Sequence, residues 1–435
     1  MSMFFAKVSA WVTAMGAAAH LAPTSRRPRR HFQPDPANPS PAAPGAGPSA
    51  LRVLFLYRDL PFHGGIPRCL LYLARAFDPL RMDLHVASMI QPSAPMREAF
   101  QDLQIEPTCL GDNGYLSPIR RLRRLLEERD IEVVVATTFK TYFCAKWAVR
   151  GSNVGVVFWV HAVRRVINGP IRRAIVRLLS RNDPMLFVSR AVRDAHLPAN
   201  HRGPAQVIYN GVEDVAGNPR YKPYGPEMRQ TLGLPPDALV LAYVAEFSPC
   251  KDHPTAINAM HELARRQVNA HLLLIGTGEE IQPARALAAR GPAAQRIHFL
   301  GARPDVRRIF GIVDIYLHPG REEGFGLAIA EAMLAGRPLA GAREGALTEL
   351  IESGKTGVLF NPGDALDLAD IIVFLAADRD RARRMGAAAR EFCLQKFDVE
   401  NFADAITRFL EDCFAPGVRQ TPGAPIEPQT AGARG

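Results

Sequence analysis

The chain has 435 residues, of which 47% are hydrophobic and 22% are charged, and its net charge is +10. This length exceeds what a single compact core usually fills, so the sequence predicts two domains. The positive charge favours anionic partners, either nucleotides, phospholipid surfaces or nucleic acid, without choosing among them. The six cysteines form no CxxC pair, which argues against a structural zinc site and is typical of reduced core residues.

The two ends of the chain differ in composition from the middle. Residues 4–22 are rich in alanine and fit either a weak secretory signal or an extension from a mis-called start codon, and we favour the extension. No apolar run reaches the roughly 18–20 residues of a membrane span. Residues 1–50 and 416–435, with their stretches of proline, glycine and alanine, are expected to be disordered, and the protein to be cytoplasmic.

Between these ends, short runs of valine, isoleucine and leucine alternate with helical patterns. Continuous apolar runs are typical of parallel strands that are buried on both faces. The predicted strands are 51–57, 131–136, 154–160, 185–188, 207–209, 239–244, 272–275, 297–300, 314–317 and 358–360. The predicted helices include 66–77, 118–128, 254–266, 326–335 and 365–376. This alternation predicts an α/β fold with right-handed crossovers.

A segment dense in proline and glycine, residues 218–226, interrupts the alternation, which then starts again. It predicts a linker between two doubly wound domains, at 51–220 and 221–397. In such sheets ligands bind beyond the carboxyl ends of the strands. Two domains that face each other would therefore enclose a ligand in the cleft between them.

Gly64 and Gly65 follow the first predicted strand and precede a helix. Paired glycines allow a ligand to approach the backbone, and the helix N-terminus offers N–H groups and a partial positive charge. A tight turn that binds nothing has the same pattern, so this feature alone leaves both interpretations open.

A second glycine-rich turn carries two carboxylates. Glu323 precedes Gly324 and Gly326, and Glu331 lies about one and a half turns into the helix that follows. Carboxylates accept hydrogen bonds from sugar and ribose hydroxyls, and a helix N-terminus binds phosphate oxygens. The pattern therefore suits a polyol ligand that carries phosphate, while the alternative is a solvated loop and helix face.

The spacing of Glu323 and Glu331, with Gly324-Phe325-Gly326 after the first glutamate, resembles the signature of the retaining glycosyltransferases of family 4. Other segments resemble that family in the same order along residues 51–413. They are residues 64–65, 207–212, 274–279, 299–301, 335–338, 345–349 and 354–360. The resemblance implies a GT-B fold, in which two Rossmann-like domains with parallel sheets face each other across a cleft.

The same resemblance implies roles for the motif residues. Glu331 would hold the ribose hydroxyls of a nucleoside-diphosphate sugar, and Glu323 would contact the sugar that is transferred. The other donor-binding residues would be Gly324, Phe325, Gly326, Leu327, Gly276 and Arg321. Gly64 and Gly65 would form the acceptor and diphosphate loop, and the last helix, within 398–413, would cross back onto the N-terminal domain.

Lys251 matches a family position whose cation binds the donor diphosphate. The family commonly has a second cation, an arginine, a few residues earlier, and Glu246 stands in its place here. Some cation is needed, because cleavage of the sugar–phosphate bond places charge on the leaving diphosphate. Arg321, Arg303 or the helix termini are candidates to supply it.

His161 follows the predicted strand 154–160, so its side chain is expected to face the cleft and contact the donor sugar or the acceptor. Similar enzymes often have a histidine at this place. The alternative is a loop histidine whose hydrogen bonds are satisfied within the protein.

Two helices of the N-terminal domain are rich in arginine. The residues concerned are Arg120, Arg121, Arg123 and Arg124 on one helix and Arg172, Arg173, Arg177 and Arg181 on or beside the other. They form either a solvated helix face or a surface for an anionic membrane that holds a lipid-linked acceptor. Both interpretations remain open on the sequence, and peripheral attachment to the inner face of the cell membrane is one expectation.

We expect a metal-independent enzyme without a cofactor that transfers a sugar to an acceptor hydroxyl with retention, in cell-surface polysaccharide or glycolipid synthesis. Asp378-Arg379-Asp380 resembles a metal-binding DxD motif, but we interpret it as a helix cap with a solvated face. No nucleic-acid signature accompanies the positive charge. The alternatives are a nucleotide-sugar epimerase or hydrolase and a catalytically silent scaffold, for which Glu246 is the hint.

Overall fold

The computed structural model describes residues 50–62, 64–111, 114–163 and 170–414, with side chains throughout except at 170–173. The expectations for residues 1–49 and 416–435, and for the side chains of Arg172 and Arg173, lie outside the described residues. Within these ranges, every helix is too short or too polar to span a bilayer.

The first half of the described chain folds around a parallel sheet with the strand order β3-β2-β1-β4-β5-β6-β7. Its strands are β1 (Leu51–Tyr57), β2 (Met82–Ser88), β3 (Thr108–Cys109), β4 (Val133–Ala136), β5 (Gly155–Val160), β6 (Met185–Phe187) and β7 (Ala205–Val207). Its helices are α1 (Gly65–Ala76), α2 (Ala94–Gln101), α3 (Leu116–Glu128), α4 (Phe139–Ala148), α5 (Pro170–Leu179) and α6 (Arg190–His196). The order reverses between β1 and β4, and a crevice is therefore expected beyond their carboxyl ends.

The second half folds around a parallel sheet with the order β10-β9-β8-β11-β12-β13. Its strands are β8 (Leu239–Val244), β9 (Ala270–Ile275), β10 (Ile297–Gly301), β11 (Ile315–His318), β12 (Leu339–Ala342) and β13 (Gly357–Phe360). Its helices are α7 (Pro226–Thr231), α8 (His253–Arg265), α9 (Ile281–Ala289), α10 (Val306–Ile309), α11 (Leu327–Leu334), α12 (Leu347–Leu350), α13 (Ala365–Ala377), α14 (Arg379–Lys396) and α15 (Val399–Phe414). Here the order reverses between β8 and β11, so their carboxyl ends mark the equivalent crevice.

The central strands are buried on both faces, as their apolar sequences require. All residues of β4 and of β9 are buried, including His271 in the second of these. Helices cover both faces of each sheet, which is the arrangement that all-parallel sheets need. The predicted α/β architecture of two Rossmann-like domains with parallel sheets, the GT-B fold, is confirmed.

Three strands, β2, β3 and β12, were not predicted from the sequence, and β7 was predicted at the wrong residues. In β2, exposed Asp83 and half-buried His85 interrupt the apolar residues, so no continuous apolar run marks the strand. In β12, Leu-Ala-Gly-Ala carries little β propensity, although all of its residues are buried. β3 has only two residues. β7 ends at Val207, so the residues predicted as strand 207–209 mostly belong to the loop that follows.

The last helix, α15, packs on the N-terminal half of the molecule. The Val212 amide donates to the Phe397 carbonyl at 2.8 Å, which brings the chain back across the linker. Phe402 then packs 6.1 Å from Trp159 of β5, measured between ring centroids. Arg81, which precedes β2, donates to Asp404 at 2.6 Å. α15 is therefore part of the core built on the first sheet.

Candidate active site

Lys251 and Glu323 form an ion pair at the carboxyl ends of β8 and β11. The Lys251 ammonium donates to Glu323 Oε2, and the side chains of both residues are largely buried. His318, the last residue of β11, lies 3.1 Å from the same oxygen through Nε2. The Tyr243 hydroxyl donates to the Lys251 carbonyl at 2.7 Å and fixes the turn that carries the lysine. Two strand ends thus position one carboxylate and one ammonium group.

These neighbours determine the charge of each group. Burial raises the pKa of the Glu323 carboxyl, but Lys251 and the hydrogen bond from His318 outweigh it and hold that pKa well below its usual range. Burial lowers the pKa of Lys251, and Glu323 more than reverses this, so the ammonium is stabilised. Burial lowers the pKa of His318 despite the bond to Glu323. At neutral pH the site therefore holds an ionised pair and a neutral imidazole.

Gly324 meets the N-terminal domain at His161. A Cβ atom at position 324 would overlap the His161 carbonyl oxygen and come 3.3 Å from the Cα of Ala162. The glycine-rich turn of the second domain therefore touches the end of β5 through backbone alone, and only glycine fits this approach. The structure thus brings the turn that carries Glu323, together with Lys251, next to the backbone of His161.

His161 is buried without a protein partner for its ring. The residue is 6% exposed, and within the described chain neither ring nitrogen has a hydrogen-bond partner. Trp159 packs against the ring at 4.3 Å between centroids, and burial lowers the pKa of His161 to about 3. A neutral imidazole offers one donor and one acceptor, so the ring is equipped to bind a hydroxyl group.

Glu331 lies in a cluster that joins the two domains. Its Oε1 atom accepts hydrogen bonds from Tyr72 at 2.9 Å, from Arg307 Nε at 3.2 Å and from Arg68. Arg68 and Tyr72 lie on α1 of the N-terminal domain, whereas Arg307 lies on α10 of the C-terminal domain. Its other oxygen, Oε2, is buried and has no hydrogen-bond partner among the described residues. One oxygen of this carboxylate is thus saturated and the other is available.

Burial raises the pKa of Glu331, but the charges of Arg68 and Arg307 outweigh it and lower that pKa. Burial also raises the pKa of Tyr72, to about 12, with the help of the nearby carboxylate. The tyrosine therefore stays a donor at neutral pH. Glu331 is ionised and held in place from three directions.

The glycine-rich turn offers its backbone rather than its side chains. Phe325 is 2% exposed, and its ring packs 5.1 Å from the ring of Phe397. Gly326 precedes α11 with φ of +86°, a conformation that favours glycine, and Leu327 is buried at the first helical position. The Glu323 carbonyl accepts from the Ala346 amide at 3.2 Å, which fixes the turn. These residues can meet a ligand only through backbone groups.

Other predicted donor residues have structural roles of their own. Gly276, at φ of +148°, packs so closely on the loop after β8 that a Cβ would overlap the Ala245 carbonyl oxygen. Arg321 is half exposed and pairs with Asp252 at 3.3 Å. Arg303, a candidate for the missing cation, pairs with Asp305 through two bonds of 2.8 and 2.6 Å. Neither arginine therefore carries an unmatched charge.

Gly64 and Gly65 begin helix α1 at the carboxyl end of β1. Gly64 is the N-cap and no side chain caps the helix, so its first amides are left for a ligand or solvent. A Cβ at position 65 would meet no other atom within 4 Å, so there is open space above this residue. His63, between the strand and this helix, lies outside the described residues.

Glu349 links the two domains on the other side of the turn. Its carboxylate accepts from the backbone amides of Arg190 at 2.9 Å and Ala191 at 2.8 Å, at the start of α6. It also accepts from the Tyr209 hydroxyl at 2.8 Å. A glutamate of one domain thus caps a helix of the other, where a negative charge also complements the helix dipole.

Comparison with known families agrees with this geometry. The pattern of the family described as Glycosyltransferase Family 4 matches residues 63–215, and that of Glycosyl transferases group 1 matches residues 226–392. Together they cover the second sheet and all of the first except β1, and they include every candidate residue named above. The chain belongs to the group 1 glycosyltransferases of family 4.

Individual relatives in this family are distant. An N-acetyl-alpha-D-glucosaminyl L-malate synthase from Bacillus anthracis is 26% identical over 58% of this chain and 66% of its own length. A GDP-mannose-dependent alpha-(1-6)-phosphatidylinositol monomannoside mannosyltransferase from Mycobacterium tuberculosis is 27% identical over 67% of this chain and 78% of its own. The crystal structure of Anabaena Alr3699/HepE in complex with UDP and glucose superimposes with a TM-score of 0.72, covering 83% of this chain and 99% of that one at 22% identity. This last likeness concerns the fold.

Several residues of the candidate site in this family 4 protein were not predicted from the sequence. His318 stands at the end of a strand, the same signal that pointed to His161, but the strand was predicted one residue too early. Arg68 and Tyr72 follow the glycine pair by one and two helical turns, and Arg307 lies in a run of charged residues. Only the tertiary structure shows that these three meet Glu331.

Proposed function

We propose that the protein is a retaining glycosyltransferase that moves a sugar from a nucleoside-diphosphate sugar to an acceptor hydroxyl. The acceptor is a saccharide or a lipid-linked saccharide, and the product belongs to cell-surface polysaccharide or glycolipid. One observation carries the proposal. The ionised Lys251–Glu323 pair adjoins the turn in which Gly324 meets the His161 carbonyl of the other domain, and the ring nitrogens of this buried histidine have no partner among the described residues.

The donor fits between these groups by its chemistry. The sugar carries hydroxyls that suit the Glu323 carboxylate and the ring nitrogens of His161. The ribose carries hydroxyls that suit the available Oε2 of Glu331. The diphosphate suits the exposed amides at the start of α1 and the ammonium of Lys251. The UDP and glucose named for the Anabaena structure support a donor of this class.

The reaction breaks the bond between the anomeric carbon and the phosphate oxygen, and the bonding electrons leave with the diphosphate. The acceptor oxygen bonds to the same carbon from the same face, and its proton passes to the leaving phosphate. The protein then supplies orientation and charge stabilisation rather than a nucleophile. Glu323 suits this account because its lowered pKa makes it a weak base.

A membrane-bound acceptor would be reached by the basic face of the N-terminal domain. Helices α3, α4 and α5 pack side by side, and Leu178, at the end of α5, is 78% exposed next to Arg177 and Arg181. Exposed leucine beside arginines suits an anionic lipid surface. The lipid named for the mycobacterial mannosyltransferase supports this choice. Leu178→Asp should then reduce flotation with vesicles that contain phosphatidylglycerol but leave donor hydrolysis unchanged.

The experiment that tests the reaction follows the anomeric configuration by nuclear magnetic resonance. The purified protein is incubated with UDP-, GDP- and ADP-sugars of known α configuration, in water and with glycerol as a simple acceptor. We expect one nucleotide class to yield an α product, and Glu323→Gln to abolish it. A β product would contradict retention.

Other outcomes distinguish the alternatives. Fast donor turnover that glycerol does not divert would indicate an epimerase or hydrolase. Exposed Glu246 favours the scaffold as second candidate, because a negative charge beside Lys251 opposes a diphosphate. If the folded protein turned over none of the donors, the catalytically silent scaffold would become the preferred function.

A further inference from the structure

The cluster around Glu331 holds more cations than anions. Arg68 and Arg307 both donate to Glu331 Oε1, so two guanidinium groups share one carboxylate. Elsewhere in the described site the charges are matched or negative. The charge of Glu323 balances that of Lys251, and Glu246 adds a negative charge close enough to raise the pKa of Lys251. An anionic ligand is therefore drawn more strongly to Arg68 and Arg307 than to the region of Lys251.

The arginines are also well placed for an anion. Arg68 lies on α1, whose uncapped N-terminus at Gly64 and Gly65 provides amides that favour negative charge. Its side chain reaches from there across the cleft to Glu331. Arg307 approaches from the other domain, with its guanidinium 5.3 Å from the Tyr72 ring. The Arg68 guanidinium carbon lies 5.8 Å from the centre of the same ring. The ring of Tyr72 is therefore close to both guanidinium groups.

The second oxygen of Glu331 points to a ligand that carries hydroxyls. Glu331 is 3% exposed, and its Oε2 is buried with no partner in the described chain. A buried acceptor without a donor is costly, so such an atom is usually satisfied by a ligand or water. The cluster thus combines an unsatisfied acceptor with a surplus cation, which is the complement of a ribose phosphate.

We infer that Arg68, together with Arg307, binds the diphosphate of the donor, and that the ribose hydroxyls donate to the free Oε2 of Glu331 beside them. The inference rests on the proposed function and names the cations that Arg321 and Arg303 do not supply. The carboxylate thereby gains hydroxyl donors on its unpartnered Oε2, and the guanidinium groups, which have more N–H donors than Oε1 can use, take phosphate oxygens. Because Arg68 and Glu331 belong to different domains, a donor that binds both couples its own binding to the contact between the domains.

Calorimetry on the full chain separates the phosphate contribution from the rest. UDP, GDP and ADP are titrated first, and the diphosphate that binds is then compared with its monophosphate and its nucleoside. In Arg68→Gln we expect the diphosphate to bind about 10- to 100-fold more weakly, the range for charge-assisted hydrogen bonds. Nucleoside binding should stay within about twofold of the wild type, because the ribose keeps Glu331.

Arg75→Gln is the matched control, because Arg75 lies on the same helix and also pairs with a glutamate, Glu213, at 3.0 Å. It should leave both affinities unchanged. Arg307→Gln is the second variant and keeps the test valid if Arg68→Gln fails to fold. It should show the same selective loss.

The inference is overturned if Arg68→Gln and Arg307→Gln weaken nucleoside and diphosphate equally, since that would indicate a structural role. Unchanged or tighter diphosphate binding in both variants would also overturn it. If the wild type binds no nucleotide at all, the proposed function itself fails. Wild-type binding that the variants leave intact refutes only the role of the arginines.

Discussion

Gly324 lies directly against the His161 carbonyl, so that the donor-side turn and the N-terminal domain touch through their backbones. No side chain separates the two at this point. The contact places the turn that follows Glu323 beside a buried histidine whose ring nitrogens lack partners in the described chain. The geometry of the candidate site therefore depends on how closely the two domains approach.

Replacing Gly324 by alanine should disable the enzyme without unfolding it. The added Cβ would overlap a backbone carbonyl, and the domains would have to move apart by a fraction of an ångström or more. A misplacement of about 1 Å costs on the order of 100-fold in rate. We therefore expect kcat/KM to fall about 100-fold while the melting temperature stays within a few degrees. Activity close to that of the wild type would show that the closed contact is not needed.

The Glu349 cap should hold the domains together. Glu349→Gln removes the charge that the α6 amides and the Tyr209 hydroxyl share, and losing such a cap costs about 1 kcal/mol. We expect kcat/KM to fall about fivefold, together with a larger radius of gyration in solution scattering. Glu352→Gln is the control, because Glu352 forms a surface ion pair with nearby Lys355, within its own domain. If Glu349→Gln and Glu352→Gln changed kcat/KM and the radius of gyration equally, the Glu349 cap would have no role in holding the domains together.

His161 should make stability depend on pH. Its pKa is lowered to about 3 in the folded protein, against an ordinary value of 6.5, so the unfolded state binds the extra proton between these values. The free energy of unfolding should therefore fall as the pH decreases from 6.5 towards 4, by up to about 1.4 kcal/mol per pH unit from this residue. Urea titrations of His161→Asn should show a smaller slope over this range. The same slope in both proteins would mean that His161 titrates normally.

The packing of α15 on the first sheet should contribute strongly to stability. Phe402 is 3% exposed and packs against Trp159. It also contacts Gly211 so closely that a Cβ atom added at position 211 would lie 2.7 Å from the Cβ of Phe402. Phe402→Ala should lower the free energy of unfolding by about 3–5 kcal/mol. Phe374, on α13, is 47% exposed, and Phe374→Ala should cost much less. A small loss for Phe402→Ala would show that α15 is dispensable for the core.

The fold was predictable because its signal is local. Uninterrupted runs such as Val133–Ala136 mark buried parallel strands, and the glycine-rich turn before Glu331 marks the start of a helix. β12 could not be recognised from sequence, because the small residues of Leu339–Ala342 have little strand propensity. The segment becomes a strand through its pairing with β11 and β13. Local patterns thus identify elements that need little tertiary support.

The site was predictable only in part, because half of it arises from contact between domains. Glu323 and Glu331 belong to one sequence motif, and Lys251 to a second segment of the same domain. Arg68 and Tyr72 come from the other domain, more than 250 residues earlier in the chain. Their spacing along α1 is that of an ordinary helix face, so nothing in the sequence distinguishes them from solvated residues.

Calorimetric titration of UDP-, GDP- and ADP-sugars into the wild type, Glu331→Gln and Glu262→Gln tests the central claim most directly. Glu262 is the matched control, since its carboxylate also accepts from two arginines, but on α8 and away from the cleft. We predict saturable binding of one nucleotide class to the wild type and to Glu262→Gln, and binding at least about 10-fold weaker in Glu331→Gln. Equal affinity in all three proteins would contradict the donor site described here.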